Sequence, residues 1–232
     1  MTMPNLPTAY TFYQSNIDAA LVEAQAAVFR HLEIPLVQEL DDKVDHAAWL
    51  TRTMRNDSLG DLAVVADIDA FPLSRAGYER IVAMAQGGAV AGLAQVANHK
   101  NPDHIYAAPM FLAARRDVYK AAGAPEMRRT ERSDVAQILT LQAEEAGLPI
   151  GLIYPKFCIQ PRWSLAQYGV YGIGTFYGEN EFFHLFEARR QQSRDLFVAV
   201  AEGVIAGHHD FDRYMAILDL VPPKRKKFLG LF

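Results

Sequence analysis

Five consecutive apolar residues, Leu62-Ala63-Val64-Val65-Ala66, run directly into Asp67-Ile68-Asp69 within the first third of the chain. A short unbroken apolar run reads as a strand covered on both faces, as in a parallel sheet between two layers of helix. The carboxyl end of such a strand opens into the crevice where α/β proteins bind ligands. Two carboxylates one residue apart at that place repel each other unless a cation neutralises them. A hard divalent ion with oxygen ligands is the natural partner, and it can bridge to phosphate oxygens. The competing reading makes both aspartates exposed loop or cap residues; the buried strand and a position well inside the chain favour the metal.

The segments before and after this point alternate between strand and helix patterns. Ala9 to Gln14 reads as a strand, and Asp18 to Leu32 as an amphipathic helix with Asn16 or Asp18 near its cap. Ile34 to Leu40 is a second strand and Asp45 to Arg55 a second helix. After the aspartates, Ser74 caps a helix running to about Ala85, stopped by Gly87-Gly88, and Ala89 to Val96 returns as a strand. This order predicts a mainly parallel sheet flanked by helices.

The second half is less regular. Asn98 to Pro109 is polar and reads as a loop, Met110 to Ala114 as a short strand, and Asp117 to Ala122 as a helical turn. Ser133 to Ala146 reads as a helix, begun by Ser133 or Asp134 and ended by Gly147. Ile150 to Tyr154 is a strand, Ser164 to Tyr177 a glycine-rich loop, Glu181 to Phe186 a strand carrying His184, and Ala188 to Ile205 a long helix. No linker or repeat stands out, so one domain is expected over 1–221, with 1–97 and 98–221 as its halves. A basic and apolar tail, 222–232, follows.

The totals exclude several classes. A chain of 232 residues with 22% charged residues and net charge −4 is neither disordered nor a nonspecific nucleic-acid coat, and no stable nucleic-acid complex is expected. Its single cysteine, Cys158, rules out an intrachain disulfide and reads as a small core residue in a reducing cytoplasm. Met1 to Asn16 does not read as a signal peptide, and no stretch approaches the roughly 18 apolar residues that span a bilayer. Lys224 to Phe232 sets four cations beside four large apolar residues. It reads as a solvated end or as a peripheral contact with an anionic membrane, there the inner face.

With Val64-Val65-Ala66-Asp67-Ile68-Asp69 and this element order in view, the chain resembles a glycosyltransferase of the GT-A type, the nucleotide-diphospho-sugar transferase fold, over about Tyr10 to Arg190. The resemblance implies a single α/β domain whose Rossmann-like half binds a nucleotide-diphosphate sugar and whose less regular half receives the acceptor. It implies that Asp67 and Asp69 hold manganese or magnesium against the diphosphate, with a histidine from a later strand as third ligand. His184 is the candidate, and His208 and His209 compete, although adjacent histidines on an extended chain point opposite ways. Ser15 and Asn16 stand where the nucleoside would bind, unless Asn16 is a plain helix cap.

An inverting member would need a carboxylate to take the acceptor's proton. Asp134, with Gln137 one helical turn on, is the candidate, with a helix-capping role as its alternative. Arg189 or Arg190 would pair with the diphosphate, unless both lie on the solvated face of the long helix. Asn98 to His104 would line the acceptor site or stay solvated. The acceptor is open, a lipid-linked saccharide among the choices. Three other classes compete. A sugar-1-phosphate nucleotidyltransferase would want a glycine-rich basic loop in place of Gln14-Ser15-Asn16. A phosphatase of the haloacid-dehalogenase type would not put Phe71 at the motif's fifth position. A binding protein that lost its chemistry has no need of the paired aspartates.

Overall fold

The computed structural model describes residues 6–218. Strands β1 (Ala9–Tyr13), β2 (Leu36–Leu40) and β3 (Leu62–Asp67) alternate with helices α1 (Ala19–His31) and α2 (His46–Arg55). A short strand, β4 (Ala70–Pro72), precedes α3 (Arg75–Gln86), and β5 (Val90–Ala97) and β6 (Asn101–Arg115) form a hairpin. There follow α4 (Arg116–Ala121), α5 (Gln137–Glu145), β7 (Ile150–Ile153), β8 (Pro155–Ser164), β9 (Val170–Tyr177), β10 (Phe182–Leu185), α6 (Gln191–Ala206) and α7 (Phe211–Ile217).

The strands form two sheets. One has six strands in the order β2-β1-β3-β6-β5-β7, and only β6 runs against the rest. Its residues alternate between two cores. Val64 and Ala66 pack with α1 and α3, whereas Ala63 and Val65 pack with α2, α4 and α5. That two-sided burial is why β3 reads as an unbroken apolar run. The other sheet is antiparallel, in the order β4-β10-β9-β8, and packs against α6. The result is the expected α/β architecture with a mainly parallel central sheet flanked by helices. Helix starts follow local chemistry: Asp18, Asp45 and Ser74 accept backbone N–H bonds at the heads of α1, α2 and α3.

Several expectations are corrected. Asn98 to Pro109 is not a loop: only 98–100 turn, and β6 begins at Asn101. The first third of β6 is half-exposed and its last two thirds are buried, so no two-residue alternation marks it. Pro102 and Pro109 further disguise it, Pro109 falling where the pairing with β5 shifts register between Gly92 and Leu93.

Ser164 to Tyr177 is likewise mostly strand. Gly172 and Gly174 serve close approach, since a Cβ at Gly172 would strike the Gln160 carbonyl and one at Gly174 the Leu196 side chain, whereas Gly169 turns the chain at φ 116°. Ala70 to Pro72, between the aspartates and α3, adds a further strand, paired with β10. The helix expected from Ser133 begins at Gln137, because Ala136 takes a left-handed conformation and Ser133 closes a turn with Thr130. The helix expected from Ala188 begins at Gln191. Cys158 is half-buried on β8 rather than in the core, and burial raises its thiol pKa. The tail expected at 222–232 lies outside the described residues.

Candidate metal centre

The site is built where the chain passes from one sheet to the other. Asp67 is the last residue of β3, Ile68 and Asp69 form the turn, and Ala70 opens β4. Two independent pairings then bring in β10. His184 stands in register with Ala70, and the Leu185 N–H donates to the Asp69 carbonyl at 2.9 Å. Ligand atoms of Asp67, Asp69 and His184 therefore converge to within 4.8 Å of one another. His184 Nε2 lies 3.5 Å from Asp69 Oδ1, and its buried Nδ1 has no hydrogen-bond partner among the described residues.

A residue missed by the sequence reading completes the electrostatics. His46, at the start of α2, places Nε2 2.9 Å from Asp67 Oδ1. Its ring lies within 3° of parallel to that of Phe12, the centroids 6.2 Å apart, and also stacks on Trp49. Burial works against the imidazolium, but the charge and hydrogen bond of Asp67 outweigh it and raise the His46 pKa. The same pair lowers that of Asp67, against its own burial. One weak hint stands in the sequence, an Asp45-His46 head on a helix carrying Trp49; nothing in the spacing ties His46 to Asp67.

Two open clefts meet at this group. The first, of about 220 Å³, is lined by Phe12, Tyr13, Gln14 and Asn16 from the end of β1, by His46, Asp67 and Asp69, and by Arg189. The second, of about 280 Å³, shares His46, Asp67 and Asp69 and adds His184, Gln95, Tyr106, Arg129, Asp134 and Glu187 among others. Of the expected nucleoside contacts, Asn16 lines the first cleft. Ser15 is exposed and does not; its N–H donates to Asp42 Oδ1 at 2.8 Å. The cap of α1 is Asp18, not Asn16. Arg189 precedes α6, so it faces the first cleft rather than a helix surface, while Arg190 pairs with Glu187 at 2.8 Å.

Asp134 lies in the second cleft, ion-paired to Arg129 at 2.9 Å and accepting from the Val135 N–H. Gln137 turns back on it, its Oε1 accepting from the Asp134 N–H at 2.8 Å. Glu187, unforeseen, is a second carboxylate there and holds a left-handed backbone, φ 58°. His209 contacts Tyr214 at 2.9 Å and, with His208, stands outside the ligand group. Asn98 bonds Tyr171, and no residue from Asn98 to His104 lines either cleft.

The donor set fits a divalent cation. Two carboxylates and one imidazole supply hard oxygen and borderline nitrogen ligands, and the buried Nδ1 of His184 is a lone polar atom in want of a partner.

No protein-family model matches the sequence, and no curated protein does. Three solved structures are similar at a distance. One is described as a candidate nucleotide-diphospho-sugar transferase from Desulfovibrio desulfuricans G20: 11% identity, TM-score 0.44, covering 63% of this chain and 79% of that one. Another is A197 from STIV: 8% identity, TM-score 0.43, covering 78% and 95%. The third is a mutant Drosophila beta-1,4-galactosyltransferase 7 in complex with manganese, UDP-Gal and xylobiose: 11% identity, TM-score 0.41, covering 78% and 71%. These likenesses are too distant to transfer a residue or an activity.

Proposed function

We propose that the protein is a metal-dependent glycosyltransferase that moves a sugar from a nucleotide-diphosphate donor to an acceptor hydroxyl. One observation carries the reading: Asp67 and Asp69 line both of two open clefts, and His184 joins them in the second. The first cleft offers Asn16 and Gln14 to a nucleoside and Arg189 to a diphosphate. The second offers Asp134, Glu187, Gln95 and Tyr106 to the hydroxyls of a sugar acceptor.

Asp67, Asp69 and His184 would hold the cation. The imidazole favours manganese over magnesium, which prefers oxygen alone. When bound, that ion supplies charge compensation for the departing diphosphate. In the transfer, the acceptor oxygen bonds to the anomeric carbon while the bond from that carbon to the diphosphate oxygen breaks. The electron pair leaves with the nucleoside diphosphate. The hydroxyl proton passes to a carboxylate of the second cleft, which we assign to Asp134 as general base in an inverting reaction. Lys224 to Phe232 belongs to the same proposal as a peripheral contact with the cytoplasmic face of an anionic membrane, fitting a lipid-linked saccharide acceptor. Among the described residues, no helix is long and apolar enough to cross a membrane.

The test is a calorimetric titration with UDP and GDP, with and without manganese. Metal-dependent binding of one nucleotide is expected, lost in Asp69→Ala while circular dichroism shows the fold intact. Binding by neither nucleotide, or an unchanged metal-dependent affinity in Asp69→Ala, would overturn the reading.

A further inference from the structure

The backbone that carries the two aspartates is held by a buried side-chain amide. Helix α1 presents Leu21, Val28 and Phe29 to the core, and in the same stripe stands Gln25, fully buried. A polar side chain in that position must satisfy its hydrogen bonds inside the protein. Gln25 Nε2 donates to the Asp67 carbonyl at 2.8 Å and to the Ala70 carbonyl at 2.8 Å. These carbonyls belong to the two ends of the turn Asp67-Ile68-Asp69-Ala70. The amide has two N–H groups, and each end of the turn takes one.

The orientation of that amide is itself fixed. Gln38 Nε2, from β2, donates to Gln25 Oε1 at 3.0 Å and to the Val22 carbonyl at 2.9 Å. With Oε1 already accepting, the Gln25 amide cannot flip without setting donor against donor at Gln38 and acceptor against carbonyls at the turn. The strand before the turn is braced too, by Thr11 Oγ1 donating to the Ala66 carbonyl at 2.5 Å. A chain of two glutamines thus runs from the sheet edge, through α1, to the turn.

We infer that Gln25 is a positioning residue for the metal centre, holding the Asp67–Ala70 turn so that both carboxylates face the cation together. The inference rests on the metal-dependent reading above. Two carboxylates one residue apart repel each other and, on a free turn, would swing apart. The Gln25 bridge clamps both ends of that turn, and the Asp69 carbonyl is separately held by Leu185. The ligands are thereby arranged before an ion arrives. Partners beyond the direct ligands act on metal affinity by about 10–100-fold in well-studied sites.

The experiment compares wild type with Gln25→Leu, Gln38→Leu and Val28→Ala. Val28 is fully buried on the same helix and makes no bond to the turn, so its variant reports lost packing alone. Mn²⁺ affinity is read from the paramagnetic resonance signal of the free ion, with and without UDP. Backbone hydrogen exchange over Ala66 to Phe71 is read in metal-free protein.

In Gln25→Leu, Mn²⁺ affinity should fall by about 10–100-fold. Exchange across the turn should quicken, while the melting temperature falls no further than in Val28→Ala. Gln38→Leu should show a smaller loss in the same direction, and Val28→Ala should keep wild-type Mn²⁺ affinity despite a lower melting temperature. A folded Gln25→Leu or, if that variant fails to fold, a Gln38→Leu with wild-type Mn²⁺ affinity and turn protection overturns the inference and leaves the metal reading standing. Equal Mn²⁺ loss in Val28→Ala also overturns it. Wild type that binds no Mn²⁺ removes both.

Discussion

The six-stranded and four-stranded sheets meet at one turn, yet they are packed from different materials. The first is filled with small residues: Ala63, Ala66, Ala91, Ala107, Ala108, Ala113 and Ala114 are all buried along its strands. Small side chains let helices approach both faces closely. The second is packed with rings. Phe71, Phe176, Phe183 and Phe197 lie 4.7–6.1 Å apart between the antiparallel strands and α6. The first sheet supplies Asp67 and the second supplies His184, and the turn between them supplies Asp69. The lesson is one of division: a sheet buried on both faces fixes a strand end with little freedom, and an aromatic sheet laid against it brings the remaining ligand.

The sharpest way to break this comparison is to act on one cleft and read the other. Asp134→Asn, in the second cleft, should lower transfer turnover by about 10²–10⁴-fold while nucleotide affinity stays within twofold, as general bases of this kind behave. Steady-state rates beside calorimetric Kd values check this. Should Glu187→Gln lose turnover and Asp134→Asn keep it, the proton acceptor is the other carboxylate of that cleft.

Arg189→Ala acts on the first cleft. Loss of a charged hydrogen bond to the diphosphate, about 1.5–3 kcal/mol, should weaken binding of UDP or GDP by roughly 10–100-fold. Nucleoside binding without phosphates should not change, and an equal effect on the nucleoside would move Arg189 away from the phosphates. The smallest effect belongs to the ring-packed sheet alone. Gly172→Ala drives a methyl group toward the Gln160 carbonyl and should cost about 1–3 kcal/mol, seen as a lower Tm in a thermal melt. Metal-dependent nucleotide affinity should be retained in the folded variant. A loss there would mean that the two sheets are coupled more tightly than their different packing suggests.

The same contrast governs what could be read from the sequence. The six-stranded sheet was largely legible, because β3 and most of β5 are apolar runs and the helices before β2, β3 and β5 have recognisable caps at Asp18, Asp45 and Ser74. Its reversed strand β6 was half-hidden, since its exposed start looks like a loop and two prolines interrupt it. The four-stranded sheet was mostly illegible. β9 carries glycines for close packing rather than for turning, and β4 is three residues long.

At the site, the paired aspartates and His184 were visible as residue types in a plausible order. His46 was not, because the contact that matters joins a helix head to a strand end through space. Gln25 left a faint mark, a glutamine on an otherwise apolar helix stripe. Glu187 left none, since its place depends on a left-handed backbone between β10 and α6.

The bond from Leu185 N–H to the Asp69 carbonyl also has a consequence for how the molecule comes into being. Synthesis proceeds from the N-terminus, and Asp67 and Asp69 emerge long before the strand that carries His184. Until β10 has zipped onto β4, the turn holds two carboxylates with no imidazole from the second sheet beside them. The three-ligand group is a non-local contact of the slow-forming kind. It is completed only in chains that have folded through Leu185, so capture of a cation by all three ligands would report that both sheets have formed and met.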